Sequence, residues 1–204
     1  MLKVISVFFF CCTFAVSSMS AEESLEAFVE TTSRDILAQI NEGRAEFEND
    51  PSILYGQMSV ALDTLVDFVT LSKGIMGKYY KGATDDQRIE FQQTVRVYII
   101  EIYTKALVKF KSKTIQVIPL KKTPKSTATI SMNVTTQDDK SFKLSYSMAK
   151  KESGWQVRNI IVDGINMGLT YRSQFDSSMI SNDNNIDAVI DTWGSPTDDE
   201  RVEK

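Results

Sequence analysis

The stretch from Thr84 to Phe110 constrains this chain more than any other. It opens Thr84-Asp85-Asp86-Gln87, the form of a capping box. There the Thr84 hydroxyl accepts from the Gln87 backbone and the Gln87 side chain reaches back. Asp85 and Asp86 suit the positive end of a helix dipole. No Gly or Pro interrupts Asp85 to Phe110, which gives room for roughly 39 Å of helix at 1.5 Å per residue. Its apolar positions begin as one stripe at Phe91 and Val95, then spread over Val97, Tyr98, Ile99, Ile100, Ile102, Tyr103, Ala106, Leu107 and Val108. A helix apolar over that much of its circumference must meet hydrophobic material on more than one side. It is either a central core helix, or a helix that is core on one side and cavity wall on the other.

The elements around it follow from periodicity. Glu22 to Asn41 repeats apolar residues near every 3.6 positions. Asp50-Pro51 has the form of an N-cap followed by proline at the first helical position, starting a helix as far as Val66. Asp67 to Gly77 is a further short helix, and Gly74, Gly77 and Gly82 break the path around Tyr79 and Tyr80. After Phe110 the period becomes two. Thr114–Leu120, Thr127–Thr136, Ser141–Met148 and Trp155–Val162 read as strands, the last three forming an antiparallel meander with one wet and one apolar face. Ile165 to Ile180 returns to helix, and Ile186 to Trp193 makes a last short one. Helices, then a meander, then a helical return is an α+β layout. A twisted antiparallel sheet packed by several helices forms a cone, and a cone can keep an apolar cavity.

The first residues are set apart from this fold. Met1-Leu2-Lys3 is a short basic region, Val4 to Val16 an uncharged apolar run, and Ser17 to Ala21 a small-residue cleavage region. This is the pattern of a secretory signal peptide, residues 1–21, too short for a membrane span. Residues 22–195 then form a single domain, and 196–204 a charged tail. Cys11 and Cys12, the chain's two cysteines, lie inside the leader after Phe9 and Phe10, which is not the setting of a lipid-modified cysteine. An exported chain with no cysteine left to pair points to a bacterial periplasm. Loss of the leader takes the net charge from −4 to about −5, which disfavours nucleic acid as a partner.

Absences narrow the chemistry. The sequence has no histidine, and cleavage leaves no cysteine, so His-based triads, thiol nucleophiles and thiolate metal sites are excluded. No Gly-rich phosphate loop is present. Neither a catalytic residue nor a metal or cofactor site is expected. The carboxylate pairs Asp85-Asp86, Asp138-Asp139 and Asp198-Asp199 read as helix cap, turn and tail. Asp163 is the one acid placed to act as a general base in a cone-shaped enzyme, with a tyrosine as its partner. It precedes Gly164 at a turn, where local backbone bonding competes for its carboxylate. Between Glu101 and Asp138 seven lysines and no acid occur, a basic patch that reads as a solvated face or as a contact for anionic headgroups or an acidic partner.

Three segments resemble the MlaC family, also called toluene-tolerance auxiliary proteins. They are Asp67-Phe68 with Met76-Gly77-Lys78-Tyr79-Tyr80-Lys81-Gly82-Ala83-Thr84 and Gln87-Arg88; Tyr103 to Phe110; and Trp155 to Phe175, with its Val162-Asp163-Gly164-Ile165 and Tyr171-Arg172-Ser173-Gln174-Phe175. The departures are Asn159 where Asp is usual, Asp163 where Glu is common, and Lys81 where Arg is common. The resemblance implies a periplasmic phospholipid carrier and not an enzyme. Such a carrier passes glycerophospholipid between an outer-membrane lipoprotein–porin complex and an inner-membrane ABC transporter complex with a substrate-binding ring, and so maintains outer-membrane lipid asymmetry. A monomer is expected. The expected pocket wall is Met76, Tyr79, Tyr98, Ile102, Tyr103, Ile130, Met132, Val134, Leu144, Tyr146, Val157, Ile165, Met167 and Leu169. Lys81, Arg88 and Arg172 are candidates for headgroup or partner contact. The competing readings are a cone-fold enzyme on a small hydrophobic substrate and a ligand-free interaction protein with a solid core.

Overall fold

Among the described residues, each of the six α-helices starts at a side chain that accepts a backbone N–H of its first turn. The structure, a computed structural model, describes residues 23–194; the expected leader at 1–21 and tail at 196–204 lie outside them. Helix α1 (Leu25–Gly43) is capped by Ser24, α2 (Pro51–Leu65) by Asp50 with Pro51 at the first position, and α3 (Phe68–Met76) by Asp67. A 3-10 turn, Gly77–Lys81, leads to α4 (Asp85–Lys109), where both bonds of the Thr84–Gln87 capping box are made. Asn166 and Asn185 cap α5 (Met167–Ser181) and α6 (Ile186–Thr192). Capping satisfies backbone donors that have no partner inside the helix.

Strands β1 (Ser112–Ile118), β2 (Thr127–Thr136), β3 (Ser141–Lys151), β4 (Gly154–Val162) and β5 (Ile165–Asn166) form one antiparallel sheet in chain order. Here the expectation needs correcting at one place. Helix does not begin at Ile165, because Ile165 and Asn166 pair with Val162 and Ile161 as a fifth strand. The two-residue turn Asp163-Gly164, both at positive φ, folds the chain straight back along β4, so the helix can start only at Met167 once Asn166 supplies its cap.

The helices cover one face of the sheet. The side chains of Ile130, Met132 and Val134 on β2 point to that face with Tyr146, Leu144 and Phe142, their partners on β3. At one end of the sheet Leu25 and Val29 of α1 close over Ile130, Met148 and Trp155. Helix α4 packs mainly on α1, α2, α3 and α6. Its Phe91, Val95, Tyr98 and Ile99 form an aromatic-rich core with Met76 of α3, Tyr171 and Phe175 of α5, and Trp193 after α6. Phe91 and Phe175 are fully buried, their ring centroids 4.8 Å apart. On the other side of α4 the packing is not solid.

Candidate functional site

Between α4 and strands β2–β4 lies an apolar cavity of about 290 Å³. That is close to the lower end of the ~300–1,000 Å³ typical of ligand pockets. Ile99, Tyr103, Ala106, Leu107 and Phe110 form its helical wall. Their spacing of i, i+4, i+7, i+8 and i+11 is a single stripe along one helix face. The opposite wall is the covered face of the sheet, with Ile115, Met132, Val134, Phe142, Leu144, Tyr146, Val157, Ile160 and Val162. Ser33, Ile36 and Leu37 of α1, Met58, Leu62 and Leu65 of α2, and Leu71 of α3 close one flank, while Met167, Gly168 and Tyr171 close the other. Of the lining residues, Ala106 and Phe110 are the ones exposed to solvent, so the cavity opens at the C-terminal end of α4.

Of the residues expected on the wall, the structure brings together Tyr103, Met132, Val134, Leu144, Tyr146, Val157 and Met167. The other seven are not lining residues, for three reasons. Met76, Tyr79, Tyr98 and Ile102 lie with the aromatic core on the far side of α4. Tyr79 turns its hydroxyl outward to donate to Asp176 at 2.9 Å, and Tyr98 is held edge-on against Tyr171 and Trp193. Ile130 is on the covered face of the sheet, but α1 seals it at the closed end, where it is 0% exposed. Ile165 and Leu169 are 61% and 55% exposed, on the edge strand and the first turn of α5.

The expected headgroup cations are elsewhere too. Arg88 bonds Asp85 and the carbonyls of Tyr80 and Lys81. It lies about 33 Å of helix from Phe110 at 1.5 Å per residue. Arg172 donates to the Gly74 carbonyl at 2.6 Å, bracing α5 against α3. Lys81, Arg88 and Arg172 are all absent from the cavity wall. The walls supplied by α1 and α2 were not anticipated, because an inward apolar stripe looks the same whether it meets side chains or a void.

The lining also carries polar side chains: Ser33, Thr104, Ser112, Arg158, Asn159 and the phenols of Tyr103, Tyr146 and Tyr171. The hydroxyls of Tyr103 and Tyr146 are deep in the protein, and burial pushes both phenols up to about 12. The Tyr171 hydroxyl faces that of Tyr103. The Tyr103 and Tyr146 phenols therefore stay neutral donors at any physiological pH. Asp163 does not face the cavity chemistry. It is exposed, and its carboxylate accepts the Lys143 N–H at 2.7 Å while its own N–H donates to the Lys143 carbonyl. No group of side chains able to hold a metal ion occurs among the described residues.

A family model described as "MlaC protein" matches residues 30–195. The chain belongs to the MlaC family. This family member is 31% identical over 166 residues to the toluene tolerance protein ttg2D of Pseudomonas putida, covering 81% of this chain and 77% of that protein. Its fold is shared with a phospholipid-binding protein from Ralstonia solanacearum, solved in complex with a phospholipid. The TM-score is 0.70 at 22% identity, over 83% of this chain and 94% of that one. The α+β fold expected from the periodicity is thus shared with that solved structure.

Proposed function

We propose that this chain is a soluble periplasmic carrier that holds a glycerophospholipid by its acyl tails in the cavity between α4 and the sheet. The observation that supports this is the cavity itself: open at one end and walled mainly by aliphatic and aromatic side chains. A relative of the same fold holds a phospholipid. The lining residues anticipated from sequence, Tyr103, Met132, Val134, Leu144, Tyr146, Val157 and Met167, are the proposed tail contacts.

The energetic reason for such a carrier is simple. Two tails of about 30 methylenes at ~0.8 kcal/mol each would cost roughly 24 kcal/mol in water, so unassisted crossing of an aqueous gap is negligible. A carrier must hide the tails yet surrender them to another apolar surface. Within this reading the donor and acceptor are an outer-membrane lipoprotein–porin complex and an inner-membrane ABC transporter complex, and the phospholipid is cargo, not cofactor. Among the described residues no helix is long and apolar enough to cross a membrane, which suits a shuttle.

The test is organic extraction of the purified mature chain followed by mass spectrometry. About one phospholipid per chain is expected. A lipid-free chain that also fails to take up phospholipid from vesicles would overturn the reading.

A further inference from the structure

The opening of the cavity is marked by two features that the carrier reading does not use. Large apolar side chains stand exposed at it and along the adjoining edge of the sheet and first turn of α5. Phe110, 42% exposed, ends the cavity stripe of α4, and Leu169, 55% exposed, follows the lining residue Gly168. Ile165, 61% exposed, pairs with Val162, which pairs with Leu144. Residues paired across antiparallel strands point to the same face, so Ile165 continues the cavity face of the sheet out to its edge.

The second feature is charge. The fold divides the basic patch of the sequence. Lys121, Lys122 and Lys125 lie at the far end of β1, a strand of seven residues, or roughly 23 Å. Lys105 pairs with Glu101. What remains at the opening is Lys109 and Lys111 on either side of Phe110, and Lys143 beside Phe142, all exposed and none in a salt bridge among the described residues. The other charges at this end are largely matched: Lys113 pairs with Asp139 and Lys140 with Asp138, leaving Asp163 bonded to the Lys143 backbone. A locally cationic rim on an acidic chain (net charge −4) is a specific asymmetry.

We infer that this rim seats directly on an anionic phospholipid bilayer, with Phe110, Ile165 and Leu169 entering the interface and Lys109, Lys111 and Lys143 meeting lipid phosphates. Charge complementarity selects an anionic surface, and side-chain type selects a bilayer over a protein. The exposed cations of the rim are lysines, point charges on flexible stems suited to a fluid layer of headgroups, whereas Arg44 is half-buried there and donates to the carbonyls of Leu107 and Phe110 and to Asn41. Protein interfaces are depleted in lysine and built on Arg, Tyr and Trp anchors, and the arginine at this rim, Arg44, is engaged with backbone carbonyls and not presented outward. Docking in this orientation sets the open end of the cavity against the acyl layer. It goes beyond the carrier reading and is measurable whether or not cargo is bound.

The test is co-sedimentation of the mature chain with vesicles of phosphatidylcholine alone or mixed with phosphatidylglycerol. Binding is expected only to the mixed vesicles and is lost at high salt. K109E/K111E/K143E should weaken it at least tenfold. I165S/L169S should weaken it severalfold while leaving its salt dependence unchanged, and K121E/K122E, at the opposite end of the sheet, should not alter it. All these positions are exposed, and unchanged circular dichroism verifies folding. Equal binding by wild type and the triple lysine variant, or no binding by wild type, overturns the inference. So does wild type that ignores both vesicles yet binds soluble polyglutamate through these lysines, which would assign the rim to an acidic protein. Carrier function fails separately, by the absence of extractable or transferable phospholipid.

Discussion

The rings of Phe110 and Phe142 meet edge to face beside the opening of the cavity, centroids 4.9 Å apart and planes at 80°. One ring ends the cavity stripe of α4 and the other begins that of β3, so the pair joins the two main walls where they part. An aromatic pair is worth about 0.5–1.5 kcal/mol beyond its burial. Phe110→Ala should therefore cost only about 1 kcal/mol of stability. It should also widen the opening and speed the release of a fluorescent phospholipid to acceptor vesicles severalfold. Release at the wild-type rate would show that the pair is not a gate.

A second expectation separates the cavity from the core. Leu144 lines the cavity from the middle of the sheet, and Leu144→Trp places the added ring in existing space. Phospholipid recovered per chain should fall severalfold while the urea midpoint stays near wild type. Phe91 is 0% exposed on the solid side of α4. Phe91→Ala should cost about 3–5 kcal/mol yet leave the lipid stoichiometry of the folded protein intact. Loss of lipid in both variants alike would mean that stability, not cavity space, governs retention.

The contrast between those residues also explains what was legible in the sequence. Element type and order could be read because caps and periods are local: Thr84 and Gln87 specify the start of α4, and alternation through Thr127–Thr136 specifies β2. Tyr98 and Tyr103 show why the site was harder. Both lie on the wide apolar face of one helix, but Tyr98 is enclosed by Trp193 and Tyr171 while Tyr103, packed on the same core, also borders the cavity. Hydrophobicity records that a side chain avoids water, not whether its neighbour is protein or void. Ile165 was misplaced for another reason: its β-pairing depends on the reversal at Asp163-Gly164, which a helical period conceals.

Asp67 gives a prediction in pH. It caps α3, accepts from both the Thr70 N–H and hydroxyl, and lies 3.2 Å from the Lys151 ammonium and 3.5 Å from Arg158. Burial opposes its charge, but the Thr70 bonds and Lys151 outweigh that and hold its carboxyl below the usual range. A carboxylate lowered on folding adds stability above its unfolded value near 3.9, and that contribution fades as pH falls through the folded value. Asp67→Asn should thus cost about 2 kcal/mol at neutral pH, in line with hydrogen bonds to charged groups. The gap from wild type should narrow in chemical melts taken below about pH 4. A gap that stays constant into that range would assign the cost to shape and not to charge.

Gly168 sits where α5 leaves the sheet, and its N–H donates to Asn159 Oδ1 at 2.9 Å. Asn159 in turn donates from Nδ2 to Asn166 Oδ1, which also accepts the Leu169 N–H that starts the helix. A Cβ on residue 168 would stand 2.6 Å from Asn159 Oδ1, so Gly168→Ala must expel the very group to which its N–H is bonded. The loss of one or two such bonds should cost about 1–2 kcal/mol, against the gain of about 1 kcal/mol that alanine brings to an unobstructed helix position. Asn159→Ala removes the obstacle along with the acceptor. In that background Gly168→Ala should become neutral or stabilising, so the two substitutions should be coupled by about 1–2 kcal/mol in a double-mutant cycle. Additive costs would mean that Asn159 yields without loss, and that the junction between β4 and α5 is held by packing and not by this amide.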